Sequence, residues 1–420
     1  MKKVAIIFIF ITSSVFAQEN TISLEECYES MLINYPLAKQ SDIYSQSSEL
    51  NNKNLKTAWL PNAELNAQAT YQSDVFKLDL DFPVTIDLPE MPQDQYKATV
   101  DIKQLIYDWG RIKSAKQLES VNLKTNKQTT QVELNKIKDQ INRFYFAILI
   151  LQRNEELLKV MLNDLETKTK SVESGVKNGM LLLSDLYALK AEKLKVNQSI
   201  REIENQRLVT IDILSEITGI SLTNESEFEI PQFDIERSEG LSRPELILFD
   251  YQKEKLDATS KIISKQNRPT VFAFTQLGYG KPGLNMLSEQ FDSYYYLGVG
   301  LKWKFWDWSK TKHEKQIISL NKDLISTQES TFTLQMNLAL KSEDSKIKTY
   351  EDAIESDIEI IKLREEVSES ARSKLDNGVI TSTEYITELS KETQAKISYE
   401  THKVQLIQSK VNYLYLKGEL

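Results

Sequence analysis

The stretch Gly278-Tyr279-Gly280-Lys281-Pro282-Gly283 is the nearest this sequence comes to a phosphate-binding loop, because glycine-rich backbone next to a lysine can cradle phosphate oxygens. It lacks the Gly-Lys-Ser/Thr ending and follows an alternating apolar-polar run instead of opening a helix, so it reads as a strand-to-loop turn. The two histidines, His313 and His402, stand far apart in helix-forming runs among charged residues, which supplies neither a triad nor a histidine metal site. Both read as solvated helix positions. Cys27 is the single cysteine and cannot form an internal disulfide. It reads as a partly buried residue of a short helix, and no small residues precede it as a lipid anchor would need. Nothing here assembles a nucleophile, a base and an oxyanion site, so the sequence predicts no enzyme, no cofactor and no metal.

The charged residues that do recur with order are Asp185 and Glu384. Ser174 to Ala191 reads SGVKNGMLLLSDLYALKA and Arg372 to Lys391 reads RSKLDNGVITSTEYITELSK. Asn178-Gly179 falls on Asn377-Gly378 and Asp185 on Glu384, at one offset of 378 − 179 = 199. Each Asn-Gly interrupts a long run of helix formers, so each predicts a hairpin tip between two helices, glycine alone taking φ > 0 without steric cost.

Those tips belong to a longer repeat. Pro36 pairs with Pro244, Pro61 with Pro269 and Tyr71 with Tyr279 at an offset of 208, and Asp108-Trp109 pairs with Asp307-Trp308 at 199. The chain therefore reads as two copies of one unit, residues 18–218 and 241–420, joined by a linker over 219–240, with nine extra residues in a loop of the first copy. Each copy carries two period-two segments, about 62–74 and 95–106 in the first, about 270–280 and 294–305 in the second. Tyr96, Ala98, Val100 and Ile102 alternate with Lys97, Thr99, Asp101 and Lys103 in the first copy. In the second, Tyr295, Leu297, Val299 and Leu301 alternate with Tyr294, Tyr296, Gly298 and Gly300, and Val271 to Tyr279 alternates more weakly.

After the strands come helical hairpins, about 110–218 with its tip at 178–179 and about 309–416 with its tip at 377–378. Leu134, Ile137, Ile141, Phe144, Ile148, Leu151, Leu158, Leu162 and Leu165 follow a three-four spacing that Glu155 alone breaks, a coiled-coil seam. Asp108-Trp109-Gly110 and Asp307-Trp308 mark where strand becomes helix, each Asp a candidate cap, while Pro61 and Pro269 lead into strands. Ser23 with Glu26 is a capping-box pattern for a short first helix, and Pro36 opens a second that runs to about Thr57. The fold class is α+β: long antiparallel coiled-coil helices and four strands per chain.

Met1 to Ala17 has two lysines, an apolar run and a small-residue end, the pattern of a secretory signal peptide. Its removal takes the formal charge from −9 to −9 − 2 = −11, which argues against a nucleic-acid partner. No later apolar run is long enough for a membrane helix, so membrane insertion would need the strands. Strands of about ten residues edged by aromatics fit an outer-membrane barrel, and a soluble sheet packed on helices alternates in the same way. Four strands cannot close a barrel, so a barrel requires several copies of the chain.

The two-fold duplication, the element Leu105-Ile106-Tyr107-Asp108-Trp109-Gly110-Arg111, the prolines Pro61 and Pro269 and the tip pattern Asn178-Gly179 with Ser184-Asp185-Leu186 together resemble the TolC-like outer-membrane efflux proteins. The resemblance covers nearly the whole chain after the signal segment. It implies a homotrimer whose twelve strands form one β-barrel in outer-membrane lipid, continued by an α-helical barrel across the periplasm of a Gram-negative cell. It also implies a periplasmic adaptor protein at the helix tips, at Asn178, Gly179, Ser184, Asp185, Asn377, Gly378, Thr383 and Glu384, and an inner-membrane pump of RND or ABC type beyond it. The same resemblance puts a periplasmic gate of carboxylates at Glu384, with Asp185 and Glu388 as further candidates. Here the second acid of that pattern is Thr387, its basic residue is Ile380 and its aromatic is Leu375. A non-conducting trimeric coiled-coil scaffold in the periplasm or at the surface is the alternative reading.

Overall fold

The structure is a computed structural model, and it describes residues 21–76, 91–235 and 240–420. Residues 1–20 with the signal-peptide segment, residues 77–90 between the two strands of the first copy, and residues 236–239 of the linker lie outside the described residues. The elements in order are β1 (Thr21–Ile22), α1 (Leu24–Asn34), α2 (Gln40–Thr57), β2 (Asn62–Tyr71), β3 (Asp94–Tyr107), α3 (Arg111–Lys177), α4 (Leu183–Thr218), β4 (Glu227–Phe228), α5 (Pro244–Gln266), β5 (Thr270–Lys281), β6 (Asp292–Lys302), α6 (Lys310–Asp376) and α7 (Ser382–Lys417). Both α3 and α6 run 67 residues, and both α4 and α7 run 36, so the duplication extends to helix lengths. β2 and β6 stop three residues before the alternation in the sequence does.

The chain forms two compact units that cut across the repeat. One holds the described part of Met1–Ala38 with Glu133–Arg243 and Gln335–Leu420; the other holds Lys39–Val132 and Pro244–Leu334. Each takes a piece from both copies.

In the second unit the four long strands make one antiparallel sheet of order β2-β3-β5-β6. The β3–β5 pairing, from Tyr96↔Lys281 to Tyr107↔Val271 with a bulge between Leu105 and Tyr107, joins the two copies edge to edge. β2 and β6 are the sheet's two unpaired edges. Its apolar face stands uncovered: Leu65 is 77% exposed, Leu297 75% and Val299 70%. The weak alternation of β5 has a steric cause on the opposite face. The Phe272 and Phe274 rings lie where side chains at Gly300 and Gly298 would stand, with ideal Cβ positions 2.5 and 2.8 Å from ring carbons. Aromatics there cover the glycines of the neighbouring strand and so replace the polar residues that simple alternation calls for.

In the first unit the main core gathers Leu24, Cys27 and Met31 of α1, Ile141, Tyr145, Phe146, Ile148 and Leu149 of α3, Ile211 and Leu214 of α4, Phe228, and Val404 and Val411 of α7. The 219–240 segment therefore does more than link: β4 pairs in parallel with β1, and Leu222 and Phe228 are buried. The Tyr145 hydroxyl lies 2.8 Å from the carbonyls of both Ile22 and Glu229 and pins that small ladder to α3. Burial pushes the Cys27 thiol up to about 12, which makes it an inert packing residue. Ser23 accepts the Glu26 backbone N–H at 3.1 Å, and Pro36–Lys39 is a 3-10 turn ahead of α2. Glu155, the break in the seam, is buried against Arg207, with Nε 3.2 Å from Oε2, and Arg207 also donates to the Asn224 carbonyl and side chain. His402 is no solvated bystander: its Nδ1 lies 2.6 Å from the Asp357 carboxylate.

Candidate functional site

The strand-to-helix junctions share an Asp that accepts the backbone N–H four residues ahead, followed by a Trp at positive φ. Asp108 is buried, and its two carboxylate oxygens accept the backbone N–H groups of Gly110 at 2.8 Å and Ile112 at 2.6 Å, which satisfies orphan donors at the start of α3. Asp307 accepts the Thr311 backbone N–H at 3.0 Å and is also held by the Thr311 hydroxyl and the Asn267 amide. Those bonds, the Thr311 side chain first, hold its carboxyl at about 2. Trp109 and Trp308 both have positive φ, and each meets the preceding aromatic edge-on, Tyr107 with Trp109 and Trp306 with Trp308. Lys265 donates to the Gly110 carbonyl at 3.0 Å and to Ser114 at 2.7 Å. Pro61 and Pro269 stand immediately before β2 and β5. Lys281 of the glycine-rich stretch ends β5 and pairs with Asp94 at 2.9 Å.

At the tips the two helix ends are the same motif. Gly179 and Gly378 take φ of 73° and 68°. Gly179 N–H bonds the Val176 carbonyl and Met180 N–H the Gly175 carbonyl; Gly378 bonds Leu375 and Val379 bonds Lys374. Both sets are Schellman closures offset by 199 residues.

The helices that leave the tips differ. Thr381 caps α7 with a full capping box: it accepts the Glu384 N–H at 3.3 Å, and Glu384 Oε2 accepts the Thr381 N–H at 2.9 Å. The equivalent cap of α4 is Leu182, which has no acceptor side chain. Asp185 instead reaches the other hairpin and accepts the Ser382 backbone N–H at 2.8 Å. Glu388 bonds Lys391 at 2.7 Å and lies 3.5 Å from Arg364. Each of the three carboxylates thus has a partner within the chain, and Glu384 and Glu388 share a cavity of about 540 Å3 with Lys374, Ile380 and Thr387. Ser184 and Thr383 occupy matching positions in the first turns of α4 and α7.

Further residues tie the hairpins together beside the tips. Lys168 of α3, 7% exposed, bonds both Asp376 oxygens at 2.8 and 3.0 Å, and Arg372 lies 3.3 Å from Asp164. Tyr385 is fully buried below them, 5.5 Å from the Lys168 ammonium; burial raises its hydroxyl and the Arg372 charge opposes that. Sequence spacing missed Lys168 because it sits among the apolar seam residues Leu165 and Val172 and looks like one more surface lysine. Leu375 packs in that same buried cluster.

No family model matches the sequence, and no curated protein does. Solved structures do. The outer membrane protein VceC of Vibrio cholerae is 14% identical with a TM-score of 0.67, covering 94% of this chain and 96% of that one. The CmeC outer membrane channel of Campylobacter jejuni is 13% identical with a TM-score of 0.68, covering 94% and 85%. The chain has the TolC-like outer-membrane channel fold. The open-state MtrE outer membrane channel of Neisseria gonorrhoeae, 12% identical with a TM-score of 0.67 over 94% and 89%, has this fold as well. Within the TolC-like fold the four-stranded sheet and the paired hairpins are the parts that the sequence repeat encodes, while the pairing of Asp185 with Ser382 departs from that repeat, since Glu384 at the matching position bonds its own helix cap.

Proposed function

We propose that the protein is the outer-membrane channel of a tripartite export system and, as a homotrimer, provides a passive exit duct across the outer membrane and periplasm. The observation that carries this reading is the sheet: four strands, two open edges and an apolar face left bare. An open edge in lipid leaves backbone groups unbonded at several kcal/mol each, and three copies give twelve strands and no edge. Among the described residues no helix is long and apolar enough to cross a membrane, so the strands do the crossing. The exposed apolar tip residues Met180, Leu182 and Val379 serve as the contact for a periplasmic adaptor, which connects to an inner-membrane pump of RND or ABC type. Asp185, Glu384 and Glu388 form the periplasmic gate, and no chemistry takes place in the duct.

The test is conductance of detergent-extracted protein in planar bilayers, with the subunit count taken on the same sample. Discrete channel events from a trimer are expected. A trimer that extracts without detergent and never conducts means a scaffold. For the gate, Glu384→Gln should weaken cation preference on the periplasmic side, since a ring of three carboxylates attracts cations.

A further inference from the structure

The polar face of the sheet carries a patch of charge opposite in sign to the chain. Where β2, β3, β5 and β6 meet their helices, a cavity of about 700 Å3 is lined by Lys103, Arg111, Arg268, Lys302 and Lys304, with Phe272 in its wall. The Lys103 ammonium lies over the Phe272 ring, 4.1 Å from its centroid. Two acids line the same cavity, Glu64 and Asp101, so the local sum is 5 − 2 = +3 on a chain of net −9.

Among the described residues no acid makes an ion-pair contact with these cations, although Lys304 lies close enough to favour the charged form of Asp307. Asp101 accepts from Asn66 at 2.7 Å, from Thr99 at 3.0 Å and from Gln276, and Glu64 accepts from Asn62 at 3.0 Å. Asp307, near Lys304, is held by Thr311 and Asn267. Among the described residues no ion pair joins any of the five cations to a carboxylate. The carboxylates are bonded to neutral groups, Lys103 lies over Phe272, and Arg111, Arg268, Lys302 and Lys304 are exposed. Elsewhere on this chain lysines are commonly paired, as Lys168, Lys193 and Lys281 are.

We propose that this patch is a binding and selectivity site for aromatic anions, the five cations taking the anionic group and Phe272 the ring. The proposal rests on the channel reading above, in which the polar face of the sheet is the lumen. In a trimer the patch becomes a girdle of 3 × 3 = nine excess positive charges at the base of the barrel. Low-dielectric walls focus such a field along the axis, and every solute that passes through must cross it. Guanidinium and ammonium groups with an aromatic face nearby are the set that holds a sulfonate or carboxylate on a flat ring.

The test compares the wild type with the Lys103→Gln, Arg268→Gln, Lys302→Gln, Lys304→Gln variant in planar bilayers under a KCl gradient, with naphthalene-1,5-disulfonate as blocker. The chloride-to-potassium permeability ratio should fall about threefold in the variant, the Boltzmann factor of roughly one kT. Block by the disulfonate should weaken in the variant and also in Phe272→Leu, which leaves the charges in place. A conducting trimer with an unchanged ratio and unchanged block overturns the proposal and leaves the channel reading intact. A wild type that does not conduct removes the channel reading and the proposal with it. If the fourfold variant does not assemble, the wild type still decides: block that weakens as KCl rises from about 0.1 to about 1 M supports the charged girdle, and block indifferent to salt overturns it.

Discussion

The Asp185 carboxylate, in the first turn of α4, accepts the backbone N–H of Ser382, the first residue of α7, at 2.8 Å. One hairpin thereby caps the helix of the other. Glu384, its counterpart 199 residues on, stays within its own helix as half of a capping box.

Replacement of Asp185 by Ala should leave the Ser382 amide without its acceptor at a position where its side chain is fully buried. Loss of a cap costs about 1 kcal/mol. Hydrogen exchange at the Ser382 amide is expected to speed up about fivefold, the factor equivalent to that energy, with exchange at Gly378 unchanged. Equal exchange at Ser382 in both proteins would mean that the cross-hairpin bond does not form.

The Lys168–Asp376 pair should respond asymmetrically, because Lys168 is buried and Asp376 is half exposed. Asp376→Ala leaves a buried ammonium without its carboxylate and should cost about 3 kcal/mol. Lys168→Met fills the same space without charge and should cost less than about 1.5 kcal/mol. Urea unfolding of the two variants measures the difference, and equal losses would assign the pair no special role.

Asp307 sets an acid limit on the second junction. Its folded pKa of about 2 lies below the ordinary carboxylate value, so its contribution to stability is full above about pH 4 and is lost as pH falls through about 2. In Asp307→Asn that part of the pH dependence should vanish. Thermal melts at about pH 6, about pH 4 and about pH 2 span that window, and variant and wild type should converge at the acid end.

The junction backbones predict opposite outcomes for matched substitutions. Gly110 has φ of 76° and its Cβ would stand 3.2 Å from the Lys265 ammonium, so Gly110→Ala should destabilise by about 1 kcal/mol or more. Ser309 has φ of 62° with a side chain already in place, so Ser309→Gly should be neutral or stabilising by up to about 1 kcal/mol. Melting temperatures that move in the same direction for both would contradict the strain argument.

The tips, junction caps and strand positions could all be read along the chain, because each depends on a few neighbouring residues. Asn-Gly ends a helix through its own φ, Asp108 and Asp307 bond amides two to four residues ahead, and alternation over about ten residues needs only the pleat. The weak alternation of β5 was legible only as a weakness, since its cause is glycine on the neighbouring strand β6. Lys168, Arg372 and Tyr385 gave no signal, because a lysine at a seam position looks the same whether or not an aspartate 208 residues away waits for it.

The duplication, the order of elements and the family of folds are all written in the chain itself, because they follow from local periodicity and from a repeat of side chains at one offset. Packing in three dimensions settled which strands pair across the two copies, which residues cover Gly298 and Gly300, and which acid serves which amide. Asp185 and Glu384 are equivalent by position, yet Leu182 offers no cap where Thr381 does, so one carboxylate satisfies its own helix and the other is left to meet a donor from a helix far along the chain. A partner chosen by proximity in space depends on packing that no window of sequence contains.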